Sequence, residues 1–149
     1  PPQGNTGELI KKAIEIYGGR NAPLLNYSQQ LTNAKKYPLF EQNPYLLPVL
    51  AHLETSSGRN VTRPNNLLNW GINYPGNNAA FSQMTPEQVL ERAISGLGER
   101  SPYYSQFRTG KELSDKELMA LAKIYEPRNE SYGPNLVKGI RFIQSQLNQ

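Results

Sequence analysis

The sequence predicts a mainly α-helical domain with one irregular lobe after its third helix. Three observations support this: apolar residues recur at helical spacing along most of the chain, capping signals precede several of these segments, and one stretch lacks any such period. A length of 149 residues fits one compact domain. We therefore expect residues 1–149 to form a single domain, with the lobe at about 58–84.

The first two helices are predicted over residues 6–17 and 24–37. Thr6 is expected to cap the first helix, and two glycines follow its last apolar residue. The second helix has a weaker apolar stripe, and Pro38 is expected to end it because proline cannot continue a helix.

The third helix has the strongest core pattern. Asn43 is expected to cap it, and Pro44 to take the first helical position, where a missing N–H costs nothing. The apolar residues that follow at helical spacing are Leu46, Val49, Leu50 and Leu53. We expect this helix to end near Thr55 or Ser56, before Gly58.

The lobe that follows is rich in Gly, Pro and Asn, which favour turns. Short strands around residues 67–70 and 72–74 are compatible with its sequence. A stretch of this length without helical period is uncommon in a small domain and is often functional.

Helical patterns return in the second half of the chain. Residues 85–88 and 114–117 both read as capping boxes, and each precedes an apolar stripe. Gly98 and Pro127 are expected to end these two helices, and Pro134 to open the last one.

Composition excludes several classes of site. The chain has no cysteine, which excludes disulfides, thiolate zinc sites and a cysteine nucleophile. His52 is the single histidine, so a multi-histidine metal site is excluded and a Ser–His–acid triad is disfavoured. We expect no metal and no cofactor. No apolar run approaches the roughly 20 residues of a membrane span, and no signal peptide is visible.

The charge balance, 16 basic against 12 acidic residues, favours polyanionic partners such as cell-wall polymers, nucleic acid or anionic lipid headgroups. No run of basic residues marks a nucleic-acid surface. The nine tyrosines suit a carbohydrate groove, because tyrosine offers a flat apolar face and a polar tip. Packing of the tyrosines in the core would explain the same count.

Glu54 is the candidate acid. It stacks above Leu50 and Leu47 at the end of the third helix, so we expect partial burial to raise its pKa. A carboxyl that stays protonated near neutral pH can protonate a leaving-group oxygen. A boundary glutamate that caps a turn, or pairs with Arg59 or Arg63, would show the same pattern.

A second acid is missing nearby, since the sequence has no Asp or Glu between Thr55 and Pro86. Most glycosidases use two carboxylates. A partner could come from Glu126 or Glu130. It can also be dispensed with, if the substrate's 2-acetamido group attacks or a sugar hydroxyl closes an anhydro ring. A basic, flexible insert without catalytic role would also lack acids.

Aromatic residues offer two further candidates. Trp70, the only tryptophan, could be a sugar platform or the anchor of the lobe. Tyr125 and Tyr132 flank a charged segment that could line a groove or form a helix–helix turn. His52 lies two residues before Glu54 and points to another side of the helix, which favours a packing or surface role.

Three segments resemble the lysozyme-like superfamily. Residues 44–58 resemble its catalytic-glutamate segment, an apolar helix that ends in Glu-Thr or Glu-Ser before a small residue and Gly. Residues 65–72 resemble the "Asn-Asn-Leu-Phe-Gly-Ile" element of endo-β-N-acetylglucosaminidases. Residues 125–140 resemble the closing "Tyr … Asn-x-x-Tyr … Val" segment. The three follow in the family's order across most of residues 44–143.

The resemblance implies a lysozyme-like fold and cleavage of β-1,4 bonds next to N-acetylated amino sugars in peptidoglycan. It implies Glu54 as general acid and Tyr132 as the cleft tyrosine. The implied substrate contacts are Asn66, Asn69, Trp70 and Tyr125. The implied partner is peptidoglycan or a related amino-sugar polymer, and the implied location is extracellular or at the cell wall.

Two departures from the family pattern matter. The segment 68–70 is longer than the common element by a residue or two, and the lobe lacks the second carboxylate that some glucosaminidases place there. The longer segment leaves the substrate contacts at these residues open. The missing carboxylate favours a one-carboxylate mechanism, as in lytic transglycosylases, and leaves hydrolysis and anhydro-sugar formation as alternatives.

Two other functions compete with this hypothesis. A non-catalytic glycan-binding or structural module could use the same fold. A small basic helical protein could bind nucleic acid, but no stacking motif or recognition helix supports this. We expect no nucleic-acid partner and a monomer.

Overall fold

The computed structural model describes residues 5–148, so the ends of the predicted 1–149 domain lie outside the described residues. The described chain is mainly helical, as predicted, and contains no β-strand within these limits. The α-helices are α1 Thr6–Gly18, α2 Ser28–Asn33, α3 Pro38–Gln42, α4 Leu46–Thr55, α5 Asn77–Phe81, α6 Pro86–Ser95, α7 Asp115–Tyr125 and α8 Tyr132–Leu147. Shorter 3-10 turns cover Pro23–Tyr27, Ala34–Lys36 and Pro102–Phe107, and a π-helical turn covers Gly96–Arg100.

The first two helix predictions need correction. The cap of α1 is Asn5, whose side chain accepts a hydrogen bond from the Glu8 amide at 2.8 Å, and not Thr6. The continuous helix over 24–37 is wrong, because 3-10 turns flank the short α2 on both sides. Tyr37 is extended, the conformation that a following proline favours, and Pro38 then opens α3.

Asn43 does not cap α4, which begins at Leu46 without a side-chain cap. Its buried amide instead donates to the carbonyl oxygens of Leu39 at 2.9 Å and Lys111 at 3.3 Å, and accepts from the Leu113 amide at 2.9 Å. A buried amide must satisfy its hydrogen bonds, and here two of the three backbone partners, Lys111 and Leu113, are distant in sequence. The sequence near Asn43 contains no sign of these two partners.

Helix α4 lies at the centre of the hydrophobic core and ends at Thr55, as predicted. It packs against α1 and α8, and α7 packs against α8. The close approach of α8 to α4 depends on Gly139 in α8, because an added Cβ there would lie 2.8 Å from a methyl carbon of Val49 in α4. Within residues 5–148, no helix is both long and apolar enough to cross a bilayer.

The lobe forms turns, so the short strands considered for residues 67–70 and 72–74 are wrong. Asn66 closes one turn by itself: its Oδ1 accepts from the Trp70 amide at 2.8 Å and its Nδ2 donates to the Trp70 carbonyl oxygen at 2.9 Å. Gly71 then adopts a left-handed conformation (φ 64°). These local side-chain bonds compete with a strand ladder. Helix α5, which follows, has no clear signal in the sequence.

Both predicted capping boxes are confirmed, at Thr85 for α6 and Ser114 for α7. Gly98 does not end an α-helix, because α6 stops earlier and continues as the π-helical turn. Pro134 does not open α8, which begins two residues before it. Gly133 lies in this first turn, and a Cβ there would come within 2.7 Å of the Met119 sulfur in α7. The position of the helix start is therefore coupled to packing between α7 and α8.

Candidate active site

Glu54 lies in the last turn of α4, where the core helix meets the lobe, and is partly buried. The helix ends because Ser56 adopts a left-handed conformation (φ 52°). The buried hydroxyl of Thr55 lies 3.1 Å from the carbonyl oxygen of Ala51 and 2.8 Å from that of Leu67. Thr55 therefore connects the end of α4 to the lobe beside Glu54.

Two polar side chains from distant segments meet the Glu54 carboxyl group. Asn69, in the lobe, has its Nδ2 3.1 Å from Oε1 and 3.2 Å from the carbonyl oxygen of Glu54. Its backbone is left-handed (φ 49°), which asparagine tolerates better than most residues. Tyr132, in α8, also interacts with the carboxyl group, but its buried hydroxyl makes no hydrogen bond of normal geometry among the described residues. The donor capacity of this hydroxyl is therefore not fully used by the described residues.

Different neighbours of Glu54 shift the pKa of its carboxyl group in opposite directions. Burial raises the pKa of the carboxyl, because the charged form loses hydration. Tyr132 and Asn69 lower the pKa by stabilising the carboxylate, and the negative charge of Glu126 raises it. Burial is the largest effect, so the pKa of Glu54 lies above its usual range. The sequence argument for a protonated acid at this position agrees with this direction.

The alternative in which Glu54 pairs with Arg59 or Arg63 is wrong. Within residues 5–148, the ion pairs join Lys12 to Glu8, and Arg141 to Glu112 and Asp115. None of these pairs involves Glu54. Its carboxyl group therefore faces neutral donors and no nearby cation.

A chain of aromatic rings leads away from Glu54. The rings of Tyr132 and Tyr125 stack at 6.2 Å, Tyr125 lies 6.5 Å from Trp70, and Trp70 lies 5.9 Å from Tyr104. The Tyr125 hydroxyl donates to the carbonyl oxygen of Leu68, which holds the ring against the lobe. Burial raises the pKa of Tyr104 to about 12 and raises those of Tyr125 and Tyr132 as well. All three are therefore neutral near pH 7.

Three of these rings, those of Trp70, Tyr104 and Tyr125, border an open cleft of about 660 Å³, which we call the aromatic cleft. It is lined by residues 69–74, Asn77, residues 101–104, Ile124 and Tyr125. Glu54 itself does not line the cleft, but the lining residue Asn69 hydrogen-bonds its carboxyl group, so one side chain connects the cleft to the carboxyl group. The described lining residues include no Asp, Glu, Lys or Arg. The cleft thus offers flat faces, amides and hydroxyls without formal charge.

The back of the cleft is tightly packed behind Trp70. Gly96, in the π-helical turn, is so close that a Cβ there would lie 2.3 Å from the indole ring. Trp70 therefore anchors the lobe and also borders the cleft, and its role as a sugar platform stays a prediction.

Other cavities lie elsewhere on the surface. One of about 930 Å³ is bordered by Lys35, Lys36 and Glu41, and one of about 540 Å³ by Glu87 and Arg92 among others. Neither shares a lining residue with the surroundings of Glu54. A third cavity of about 470 Å³ is bordered by Glu126, but by no residue that hydrogen-bonds the Glu54 carboxyl. We take the aromatic cleft as the candidate site because Asn69 lines it and bonds Glu54, although it is not the largest cavity.

The structure brings together most of the residues predicted for the site. Glu54, Asn69, Tyr125 and Tyr132 form one group, and Trp70 lies next to Tyr125. Asn66 differs from the prediction, because it is buried and its amide is used to close the turn at Trp70. It positions the indole ring and does not face the cleft.

Of the two possible partner acids, Glu126 acts electrostatically on Glu54, whereas Glu130 is exposed and has no such effect on it. His52 stacks on Tyr17 at 5.0 Å, and its Nδ1 lies 3.2 Å from the Ser57 hydroxyl. This contact agrees with a packing role for the histidine.

Sequence analysis missed the contribution of residues 101–104. Tyr103 and Tyr104 lie in the 3-10 turn Pro102–Phe107, and both line the aromatic cleft together with Tyr74. A short 3-10 turn has no long apolar period that would reveal which residues face inward. The high tyrosine content was the only available signal.

No protein-family model, curated protein or solved structure matches this chain. The described residues also contain no cluster of three or more His, Cys, Asp or Glu side chains that could hold a metal ion. The side chains around Glu54, the aromatic cleft and the sequence motifs are therefore the features that bear on function.

Proposed function

We propose that this protein is a lysozyme-like glycosidase that cleaves β-1,4 bonds next to N-acetylated amino sugars in peptidoglycan glycan strands, with Glu54 as general acid. One observation carries the proposal: a partly buried carboxyl with a raised pKa lies beside Tyr132 and is hydrogen-bonded by Asn69, a residue that also lines the aromatic cleft. The motif resemblance supplies the substrate class, which places the action at the cell wall.

In the first step, protonated Glu54 transfers its proton to the glycosidic oxygen while the bond from C1 to that oxygen breaks. Asn69 holds the carboxyl group through its 3.1 Å hydrogen bond, and the hydroxyl of Tyr132 can donate to charge that develops nearby. Burial of Glu54 favours its protonated starting form.

We infer a one-carboxylate route because the described lining of the cleft adds no second Asp or Glu that could act with Glu54. The oxygen of the substrate's acetamido group would form the new bond to C1 as the glycosidic bond breaks. The Glu54 carboxylate would then take a proton from water or from a sugar hydroxyl, whose oxygen bonds to C1 as the bond from C1 to the acetamido oxygen breaks. Water gives the hydrolysed sugar, and the sugar hydroxyl closes an anhydro ring. The two products differ in mass by one water.

The test is digestion of purified peptidoglycan followed by mass spectrometry of the soluble fragments. Glu54→Gln should lower the rate by at least about 10²–10⁴-fold, since it removes the transferable proton and keeps the shape. Glu130→Gln, the same change at an exposed position, is the matched control and should retain full activity. Full activity of Glu54→Gln would remove the proposal.

A second candidate is a non-catalytic glycan-binding module. The lack of a carboxylate among the described lining residues favours it, because many glycosidases need two. Binding of wall fragments by the unmodified protein, without release of reducing ends or anhydro products over long incubation, would support this module in place of the enzyme.

A further inference from the structure

Two tyrosines at the aromatic cleft have no role in the chemistry above. Tyr74, in the lobe, and Tyr103, in the 3-10 turn Pro102–Phe107, both line the cleft and are both 70% exposed. They are the most exposed large hydrophobic residues among those described. Exposed apolar faces that gather at one cleft are typical of a binding surface.

We infer that Tyr74 and Tyr103 form an outer subsite of the aromatic cleft that binds a neutral N-acetylated amino sugar of the glycan chain. The inference rests on the proposed function, because it assigns the sugar to the same chain that Glu54 would cleave. It adds a binding role for two residues that neither the motifs nor the chemistry at Glu54 requires.

The absence of charge selects the ligand class. The cleft has no Asp, Glu, Lys or Arg among its described lining residues, although the chain carries a net charge of +4. A site for carboxylate or phosphate groups is normally built with Arg or Lys, and a site for cations with carboxylates. A charged ligand would find no charged partner in this cleft, whereas a neutral ligand needs none.

The groups that are present suit a sugar ring. Tyrosine offers a flat face for the C–H groups of the ring and a hydroxyl that can donate and accept hydrogen bonds. Asn73 and Ser101, which also line the cleft, add an amide and a second kind of hydroxyl. These groups can pair with sugar hydroxyls and with the acetamido group.

The cleft is large and firm enough for more than one ring. Its volume of about 660 Å³ lies within the range of clefts that bury drug-sized ligands. Trp70 and Tyr104, which also line the cleft, pack at 5.9 Å, and Gly96 leaves no space behind the indole ring. This part of the cleft needs little ordering when a ligand binds.

The experiment measures binding without cleavage. The Glu54→Gln protein is titrated by calorimetry with a β-1,4-linked tetramer of N-acetylglucosamine. Tyr74→Ala and Tyr103→Ala should each weaken binding by about tenfold, since each removes one stacking face. The corresponding changes to Phe keep the face and should retain most of the affinity.

Phe142→Ala is the matched control, because Phe142 is 46% exposed on α8 and does not line the cleft. It should leave the affinity for the tetramer unchanged. The deacetylated tetramer, which carries ammonium groups, should bind more weakly than the acetylated one. Tighter binding of the deacetylated tetramer would overturn the assignment of a neutral sugar.

Failure of this inference can be told apart from failure of the proposed function. If the unmodified protein digests peptidoglycan but the alanine variants bind the tetramer normally, or no variant binds it, the subsite is wrong and the enzyme stands. If binding depends on the two tyrosines but nothing is ever cleaved, the subsite stands and the catalytic role of Glu54 is wrong.

Discussion

At the level of single side chains, the candidate site depends on a balance around one carboxyl group. Burial favours the protonated form of Glu54, while Asn69 and Tyr132 favour the ionised form. A group that must first donate and then accept a proton benefits from both influences. The balance also has a consequence for stability, because the carboxyl has different pKa values in the folded and unfolded protein.

We predict that Glu54→Gln stabilises the protein as the pH rises above the ordinary carboxyl pKa of 4.5. Between that value and the raised folded value, the folded protein binds more protons than the unfolded chain, so its stability falls with rising pH. Glutamine does not ionise and escapes this loss. Melting temperatures at pH 4 and pH 7 measure the effect.

The advantage of Glu54→Gln should be greater at pH 7 than at pH 4. Glu130→Gln removes a charge at an exposed position and controls for net charge. An equal change in melting temperature at both pH values for Glu54→Gln would show that its pKa is not shifted by folding.

The Tyr132 hydroxyl leads to a second prediction. Tyr132→Phe should lower peptidoglycan cleavage by about 10²-fold, because it removes one donor at the reacting centre. Since the hydroxyl lowers the pKa of Glu54, its loss should also move the alkaline limit of activity to higher pH. Rates across a pH series test both effects.

Tyr45→Phe is the matched control for that experiment. Tyr45 is 3% exposed and its buried hydroxyl also has no hydrogen-bond partner among the described residues, but it borders another cavity. It should leave the rate and the pH profile unchanged. An unchanged pH profile in Tyr132→Phe would exclude a direct effect of Tyr132 on Glu54.

At the level of helices and turns, the lobe depends on how Trp70 is held. Asn66 binds its backbone on one side, and the π-helical turn Gly96–Arg100 lies against its ring on the other. π-Helical turns often occur at functional sites. Here the turn brings a residue without a side chain against the indole ring.

Gly96→Ala should destabilise the protein by about 1–3 kcal/mol, because a Cβ at 2.3 Å from the indole ring forces Trp70 to move. The backbone of Gly96 is ordinary (φ −61°), so alanine adds no backbone strain. Urea unfolding gives the stability, and the fluorescence of the single tryptophan reports the displacement.

Gly7→Ala in α1 is the matched helical control. A Cβ at Gly7 meets its nearest atom at 3.5 Å, an ordinary contact, so this change should be neutral or stabilising by up to about 1 kcal/mol. Its tryptophan emission should match that of the unmodified protein. A similar result for Gly96→Ala would contradict the packing described for Trp70.

For the protein as a whole, α4 joins the hydrophobic core to the candidate site. Its residues 46–51 are buried among α1 and α8, and Glu54 projects from its last turn. Loss of core packing at α4 should therefore lower the stability of the protein and also displace the Glu54 carboxyl group.

We predict that Leu50→Ala destabilises the protein by about 2–5 kcal/mol, since Leu50 is fully buried and its removal leaves a cavity. Val61→Ala, at a position that is 38% exposed in the lobe, should change stability by less than about 0.5 kcal/mol. Chemical denaturation of both variants tests the contrast, and equal losses would contradict the central place of α4.

The helices that sequence analysis located correctly are those whose signals are local. The capping boxes at Thr85 and Ser114 each satisfy backbone groups within one turn, so neighbouring residues are enough to predict them. The apolar stripe of α4 likewise predicted a core helix that ends at Thr55, and with it the partial burial of Glu54.

Sequence analysis failed where distant contacts compete with local preference. Asn43 has the right chemistry for a helix cap, but it bonds to the backbone near Leu113. The family resemblance implied that Asn66 contacts the substrate, but its side chain closes a turn at Trp70. In both cases a polar side chain has several possible partners, and packing selects among them.

The position of one acid at a helix end could thus be inferred from the chain, because helical period and burial follow from residues a few places apart. The aromatic cleft beside this acid could not be inferred in this way. It forms only where the lobe, the 3-10 turn Pro102–Phe107 and the end of α7 come together. Contacts between such distant segments depend on core packing and backbone approach, which no short stretch of sequence encodes.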